Sequence, residues 1–123
     1  MAVNRTQPDT RVHPLLKPAV FHILLALARS DNYGYAVMQA VRDGSEGRVA
    51  MSTGSFYRHL TRLIDGGLVA ESTTERTGDD PRRGTYYRLT AYGHRALSEE
   101  RQRLASLVAA IDHLAPVSQK RHA

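Results

Sequence analysis

The stretch STGSFYRHLTRLIDGGLVA, residues 52–70, decides the fold. Phe56, Leu60, Leu63 and Ile64 recur at i, i+4, i+7 and i+8, a spacing that gathers them on one face of an α-helix. Ser52 is a good N-cap, and Gly66-Gly67 supplies the residue type at which helices stop, so the pattern predicts a helix over 53–66. A rotation of 100° per residue turns Gly54, Arg58, Thr61, Arg62 and Asp65 to the opposite side. Two short runs of β-formers follow, 68–75 and TYYRLT at 85–90, which predict a hairpin. The segment between them, TERTGDDPRRG at 74–84, is too polar to pack and carries Gly78, Pro81 and Gly84, so it is expected to form an exposed flexible loop.

Toward the N-terminus, Val20, Ile23, Leu24, Leu27 and Ala28 keep helical spacing over 16–28, with Pro18 in the first turn where proline is tolerated. SDNYG at 30–34 reads as a turn. Tyr35, Met38 and Val41 continue a second, short helix to Asp43, which Gly44 and Gly47 break, and 48–51 reads as a brief extended strand. Toward the C-terminus, 91–114 is a long helix with Pro116 soon after it. The order helix, helix, short strand, helix, strand, loop, strand is that of a winged helix-turn-helix. The expected fold is therefore mainly α with a small β-hairpin, followed by a long C-terminal helix. The expected division is a flexible arm over 1–15, a winged-helix domain over 16–90, the long helix over 91–115 and a tail over 116–123.

Composition narrows the function. At 123 residues one hydrophobic core is expected. The absence of cysteine excludes disulfides, thiol nucleophiles and thiolate metal sites. No apolar run approaches the roughly 20 residues that span a bilayer, and the N-terminus lacks a signal-peptide stretch, so a cytoplasmic protein with no membrane partner is expected. His13, His22, His59, His94, His113 and His122 lack metal-ligand spacing, so no metal is expected. Asp79 and Asp80 are adjacent on a loop, without the fixed separation that acid–base chemistry needs. No phosphate-cradling Gly-rich loop or nucleophile motif is present, so neither an enzyme nor a cofactor is expected.

The net charge of +5 and the sequence pI of about 10.0 favour a polyanion as partner, since cations gain affinity by releasing counterions from phosphates. A helix entering the major groove of double-stranded DNA needs small residues at its leading end and hydrogen-bonding side chains behind them. Thr53, Gly54, Ser55, Tyr57 and Arg58 supply both, and Thr61 and Arg62 extend the same outward face. Arg76, Arg82, Arg83 and Gly84 on the hairpin tip suit a wing reaching the flanking backbone or minor groove, although Asp79 and Asp80 oppose it. A winged-helix module that binds protein without reading DNA stays open as the alternative.

Spaced blocks carry a more specific likeness. They are Tyr33-Gly34-Tyr35, then Ser55 to Leu63 with Gly67-Leu68-Val69, then Arg83-Gly84 with Tyr86-Tyr87-Arg88-Leu89-Thr90 and Gly93. Together, from about 16 to 114, they resemble the PadR family of transcriptional regulators, in its short subgroup with a single C-terminal helix. The resemblance implies a homodimeric repressor of a palindromic operator and a small apolar or aromatic effector lodged between the C-terminal helices and the cores. Thr85, where many relatives carry lysine, the Asp79-Asp80 pair and the longer arm depart from the pattern. Independently of it, Leu97, Leu104 and Ile111 form one seven-residue series and Leu107 and Leu114 another, widened by Val108 and interrupted by Glu100. A heptad-like stripe outlasting a small domain predicts a dimer seam.

Overall fold

The computed structural model describes residues 16–72 and 84–114. The N-terminal arm, most of the loop over 74–84 and the tail lie outside the described residues. Helix α1 (Pro18–Arg29) has its proline in the first turn and buries Ile23, Leu24 and Leu27. Strand β1 (Asn32–Tyr33) leads directly into α2 (Gly34–Gly44), which buries Val37 and Val41. Helix α3 (Thr53–Asp65) is followed by β2 (Val69–Glu71), β3 (Tyr86–Leu89) and the long α4 (Ala91–Asp112).

The α3 pattern works as its spacing dictates: Phe56, Leu60 and Leu63 are buried, and Phe56 sits at the centre of the core with Ile23, Leu24, Val37, Val41 and Val69. Ser52 Oγ accepts the Ser55 N–H at 3.1 Å and so caps one of the free donors of the first turn. At the other end Gly67 takes φ +83°, its N–H donates to Ile64 O at 3.0 Å, and the Leu68 N–H donates to Leu63 O at 2.9 Å. This paired closure needs a left-handed residue, which glycine adopts without steric cost.

The sheet is antiparallel with β3 in the centre, in the order β1-β3-β2. Asn32 and Tyr33 pair with Tyr87 and Tyr86, and Val69, Ala70 and Glu71 pair with Leu89, Arg88 and Tyr87. Alternation along β3 turns Tyr87 and Leu89 into the core and Arg88 outward. The short strand expected at 48–51 is instead at Asn32–Tyr33, inside the segment whose composition reads as a turn. Edge-to-face packing of Tyr33 on Tyr86, with centroids 4.8 Å apart, holds this two-residue strand in place. Residues 48–51 form no strand. Their apolar members Val49 and Met51 close the core from below, and buried Ser45 ties them to α2, its Oγ accepting the Val49 N–H at 2.9 Å.

Helix α4 changes character along its length. Gly93, Ala96 and Glu100 are buried and Leu97 packs against the core, whereas every residue from Leu104 to Leu114 is exposed. Leu97, which the sequence places in the seam, is half-buried against the chain's own core. Glu100 is the last buried position rather than a simple interruption. Its carboxylate accepts from Arg103 at both oxygens, 3.1 Å from Nε and 2.5 Å from Nη2. The Arg103 hydrogen bonds and charge, with the Leu16 backbone N–H, hold this carboxyl below its ordinary range against the opposing effect of burial. A depressed folded-state value means that the stability it contributes is present above the ordinary carboxylate range and is lost as pH falls through the folded value. We expect Glu100→Gln to lower the thermal midpoint at neutral pH, with the gap to the wild type closing toward about pH 4 and below. Melting curves across that range check this, and a gap independent of pH contradicts it.

Candidate nucleic-acid interface

The side of α3 turned away from the core carries the residues picked out by sequence. Thr53, Gly54, Arg58, Thr61 and Arg62 are exposed, Ser55 is half-buried at the capped first turn, and Tyr57 is 40% exposed. Gly54, Tyr57, Arg58, Thr61 and Arg62 together line one shallow, open groove. Gly54 leaves the helix backbone bare at the leading end. The nearest side-chain atom to the place a Cβ would occupy is Arg58 Nη1, at 3.7 Å, so this guanidinium reaches back along the helix toward its N-terminus. The two arginines thus stand four residues apart, one helical turn, with Thr61 between them and Asp65 at the far end.

Electrostatics extends this face toward α1. Burial, then the charges of Arg62, Lys17 and Arg58, push the His59 imidazole below its ordinary value. The ring is thus neutral at physiological pH, so the cations of this surface are Arg58, Arg62 and Lys17, with Asp65 the opposing charge at its far end. Lys17, exposed at the start of α1, is absent from the residues picked out by sequence. Nothing in a local helical pattern relates it to α3, and only the fold, which brings its charge to bear on His59, adds it to this surface.

Tyr57 has a more particular setting. Its ring stands edge-on to the buried Phe56 ring, with centroids 4.9 Å apart and planes at 81°. Its hydroxyl lies over Gly34, the first residue of α2, so closely that a Cβ there would overlap it.

The wing is only partly placed. Gly84 is exposed with φ +90°, two residues before β3, and Arg82 and Arg83, like Arg76, Asp79 and Asp80, lie outside the described residues. On α4, exposure climbs along the stripe: 37% at Leu104, 48% at Leu107, 56% at Val108, 64% at Ile111 and 70% at Leu114. Among the described residues no three acidic or histidine side chains are grouped so as to hold a metal ion, and no helix is long and apolar enough to cross a membrane.

Against known proteins, residues 23–99 match the family described as "Transcriptional regulator PadR-like family". Among solved structures, a PadR family transcription regulator from hypervirulent Clostridium difficile is similar at a TM-score of 0.65 and 21% identity, over 80% of this chain and 98% of that one. A PadR-like transcriptional regulator from Bacillus cereus gives 0.63 and 22%, over 89% and 97%. A transcriptional regulator from Clostridium thermocellum gives 0.61 and 23%, over 79% and 89%. These likenesses speak to the fold, and the family match covers α1 from Ile23, the sheet and the start of α4. A comparison with curated proteins finds no match.

Proposed function

The chain belongs to the PadR-like family of transcriptional regulators, which bind DNA and are not enzymes, and from that premise we propose that it is a homodimeric repressor reading a palindromic operator. In this reading α3 enters the major groove. Thr53, Gly54 and Ser55 give close approach at its leading end, Arg58 and Arg62 contact bases and phosphates, and Thr61 and the exposed face of Tyr57 complete the surface. Residues 76–84, with Arg82, Arg83 and Gly84, lie on the flanking backbone or minor groove. The observation that carries the reading is the uninterrupted outward face of α3, with two free-standing arginines one turn apart beside a bare glycine backbone and opposite a fully buried stripe.

Dimerisation runs through Leu97, Leu104, Leu107, Val108 and Ile111 of α4 and Leu114 just beyond its end. A two-fold axis there presents two α3 helices to half-sites about one DNA turn, roughly 34–36 Å, apart. A small apolar or aromatic effector lodged against the paired α4 helices releases the operator to the extent that it binds the DNA-free form more tightly.

The experiment is a binding titration on DNA from the promoter of the chain's own gene, with Arg58→Ala, Arg62→Ala and the double variant. Each substitution is expected to weaken binding about tenfold, within the 1–3 kcal/mol of a well-placed base contact. Phosphate contacts should also make the wild-type affinity fall steeply between low and physiological salt. Undiminished binding by the double variant removes α3 as the reading helix. Selective DNA binding absent from the wild type favours a protein-binding module instead.

A further inference from the structure

We propose that Gly34 is a positioning residue for the DNA-reading face, its missing side chain forming the notch that seats the Tyr57 hydroxyl and fixes the Tyr57 ring as one wall of the α3 groove. The proposal rests on the assignment of α3 as the reading helix and says what holds that helix's surface in shape.

Gly34 is buried at the start of α2 and does not take a positive φ, unlike Gly47, Gly67 and Gly84, so the backbone does not call for glycine there. Alanine would be the better helix former. What excludes it is space: a Cβ at Gly34 would overlap Tyr57 Oη and lie 3.1 Å from Cζ and 3.2 Å from Cε1. All three close neighbours belong to this one side chain, which reaches across from another helix. The contact is therefore specific to the pair.

Two movements could make room for a methyl group. Helix α2 could shift, but Val37 and Val41 anchor it in a close-packed core, where displacement is resisted. Alternatively the Tyr57 ring could leave the notch, and because the residue is 40% exposed it is the softer partner. It would swing about its contact with Phe56 toward the groove it shares with Gly54, Arg58, Thr61 and Arg62. A recognition surface loses affinity when its parts move by fractions of an ångström, even where the fold survives. Gly34 thus acts on DNA through Tyr57. The seated hydroxyl is turned inward, so Tyr57 offers DNA the face of its ring rather than its oxygen.

The test is a double-mutant cycle on the full-length chain with Gly34→Ala, Tyr57→Phe and the combination, reading operator affinity, thermal midpoint and near-ultraviolet circular dichroism. The protein has six tyrosines and no tryptophan, so tyrosine environments dominate that spectrum. We expect Gly34→Ala to weaken operator binding about tenfold, a misplaced wall being comparable to one lost base contact. Its tyrosine spectrum should change while the melting point stays near that of the wild type. Tyr57→Phe supplies the reference leg of the cycle, and the double variant should bind within about threefold of that single variant, because the overlapping oxygen is gone. Unchanged affinity in Gly34→Ala, or no recovery in the double variant, overturns the proposal. If Gly34→Ala does not fold, recovery of a folded, operator-binding protein by the added Tyr57→Phe upholds it, and failure to recover overturns it. Arg58→Ala separates the two levels: if that variant binds DNA like the wild type, the reading helix is misassigned, whereas the spectrum still reports on whether the notch seats Tyr57.

Discussion

Replacing Leu107 and Ile111 together by glutamate is expected to yield a folded monomer whose operator affinity is lower by a factor of about a hundred to ten thousand. Both side chains are largely exposed on the half of α4 that leaves the domain, so charges placed there remain hydrated in the isolated chain and should leave its melting behaviour close to intact. In a dimer the same four carboxylates would meet across an apolar seam, where charges without partners are costly to desolvate. The affinity loss then follows from geometry. In the proposed dimer two α3 helices joined by α4 would make the second half-site contact intramolecular, and a monomer would forfeit that effective concentration. Sedimentation analysis alongside operator titration checks both halves of the expectation. A double variant that remains dimeric would move the interface elsewhere. Leu97→Glu provides the contrast: this residue packs on the chain's own core, so its replacement should lower the melting point along with dimerisation.

That contrast marks where the sequence was legible. Helix α3 could be read in full, because cap, apolar spacing and terminating glycines all speak about neighbours within four residues, and the outward arginines follow by rotation. The heptad series on α4 runs from residues packed on the core to exposed ones, and spacing alone cannot say how far the domain's own core climbs the helix. Glu100 and Arg103 mark that limit as a paired charge, where the sequence shows an irregularity in an apolar stripe. Strand β1 was invisible for a related reason. Two residues carry no alternation, Asn32 favours a turn, and what makes the segment a strand is a partner more than fifty residues away. Conversely, Val49 and Met51 alternate like a strand but form none; they pack against the core, with the Val49 N–H held by Ser45 Oγ. The role of Tyr57 was read as contact with DNA from its place on α3, and its seat against Gly34 belongs to tertiary packing that no local pattern encodes.

The same kind of packing makes Gly93→Ala the single substitution outside the central core expected to be most damaging. Thr90 caps α4 by accepting the Gly93 N–H at 3.0 Å, and its hydroxyl donates to Gly67 O at 2.6 Å, while the Thr90 N–H donates to Leu68 O at 3.0 Å. These bonds bolt the start of α4 onto the corner where α3 ends. Gly93 lies against that corner so closely that a Cβ would overlap the Leu68 carbonyl oxygen and come within 2.5 Å of Leu89 Cδ1 and 3.0 Å of Leu89 Cγ. Unlike the situation at Gly34, the obstruction includes backbone already engaged in a hydrogen bond, so no flexible side chain can turn away to relieve it. A loss of about 3 kcal/mol is expected, the upper end for overpacking a close-packed site, and a fall of roughly 10 °C or more in melting point for a domain of this size. The functional consequence would persist in whatever fraction folds. In the proposed dimer α4 sets the two-fold axis and the corner sets the direction of α3, so wedging them apart would change the separation of the two reading helices. Affinity should then fall more on the natural operator than on one with altered half-site spacing. A Gly93→Ala protein that melts with the wild type and prefers the same spacing would mean that the corner yields freely, and that the angle between the dimer helix and the reading helix is set elsewhere.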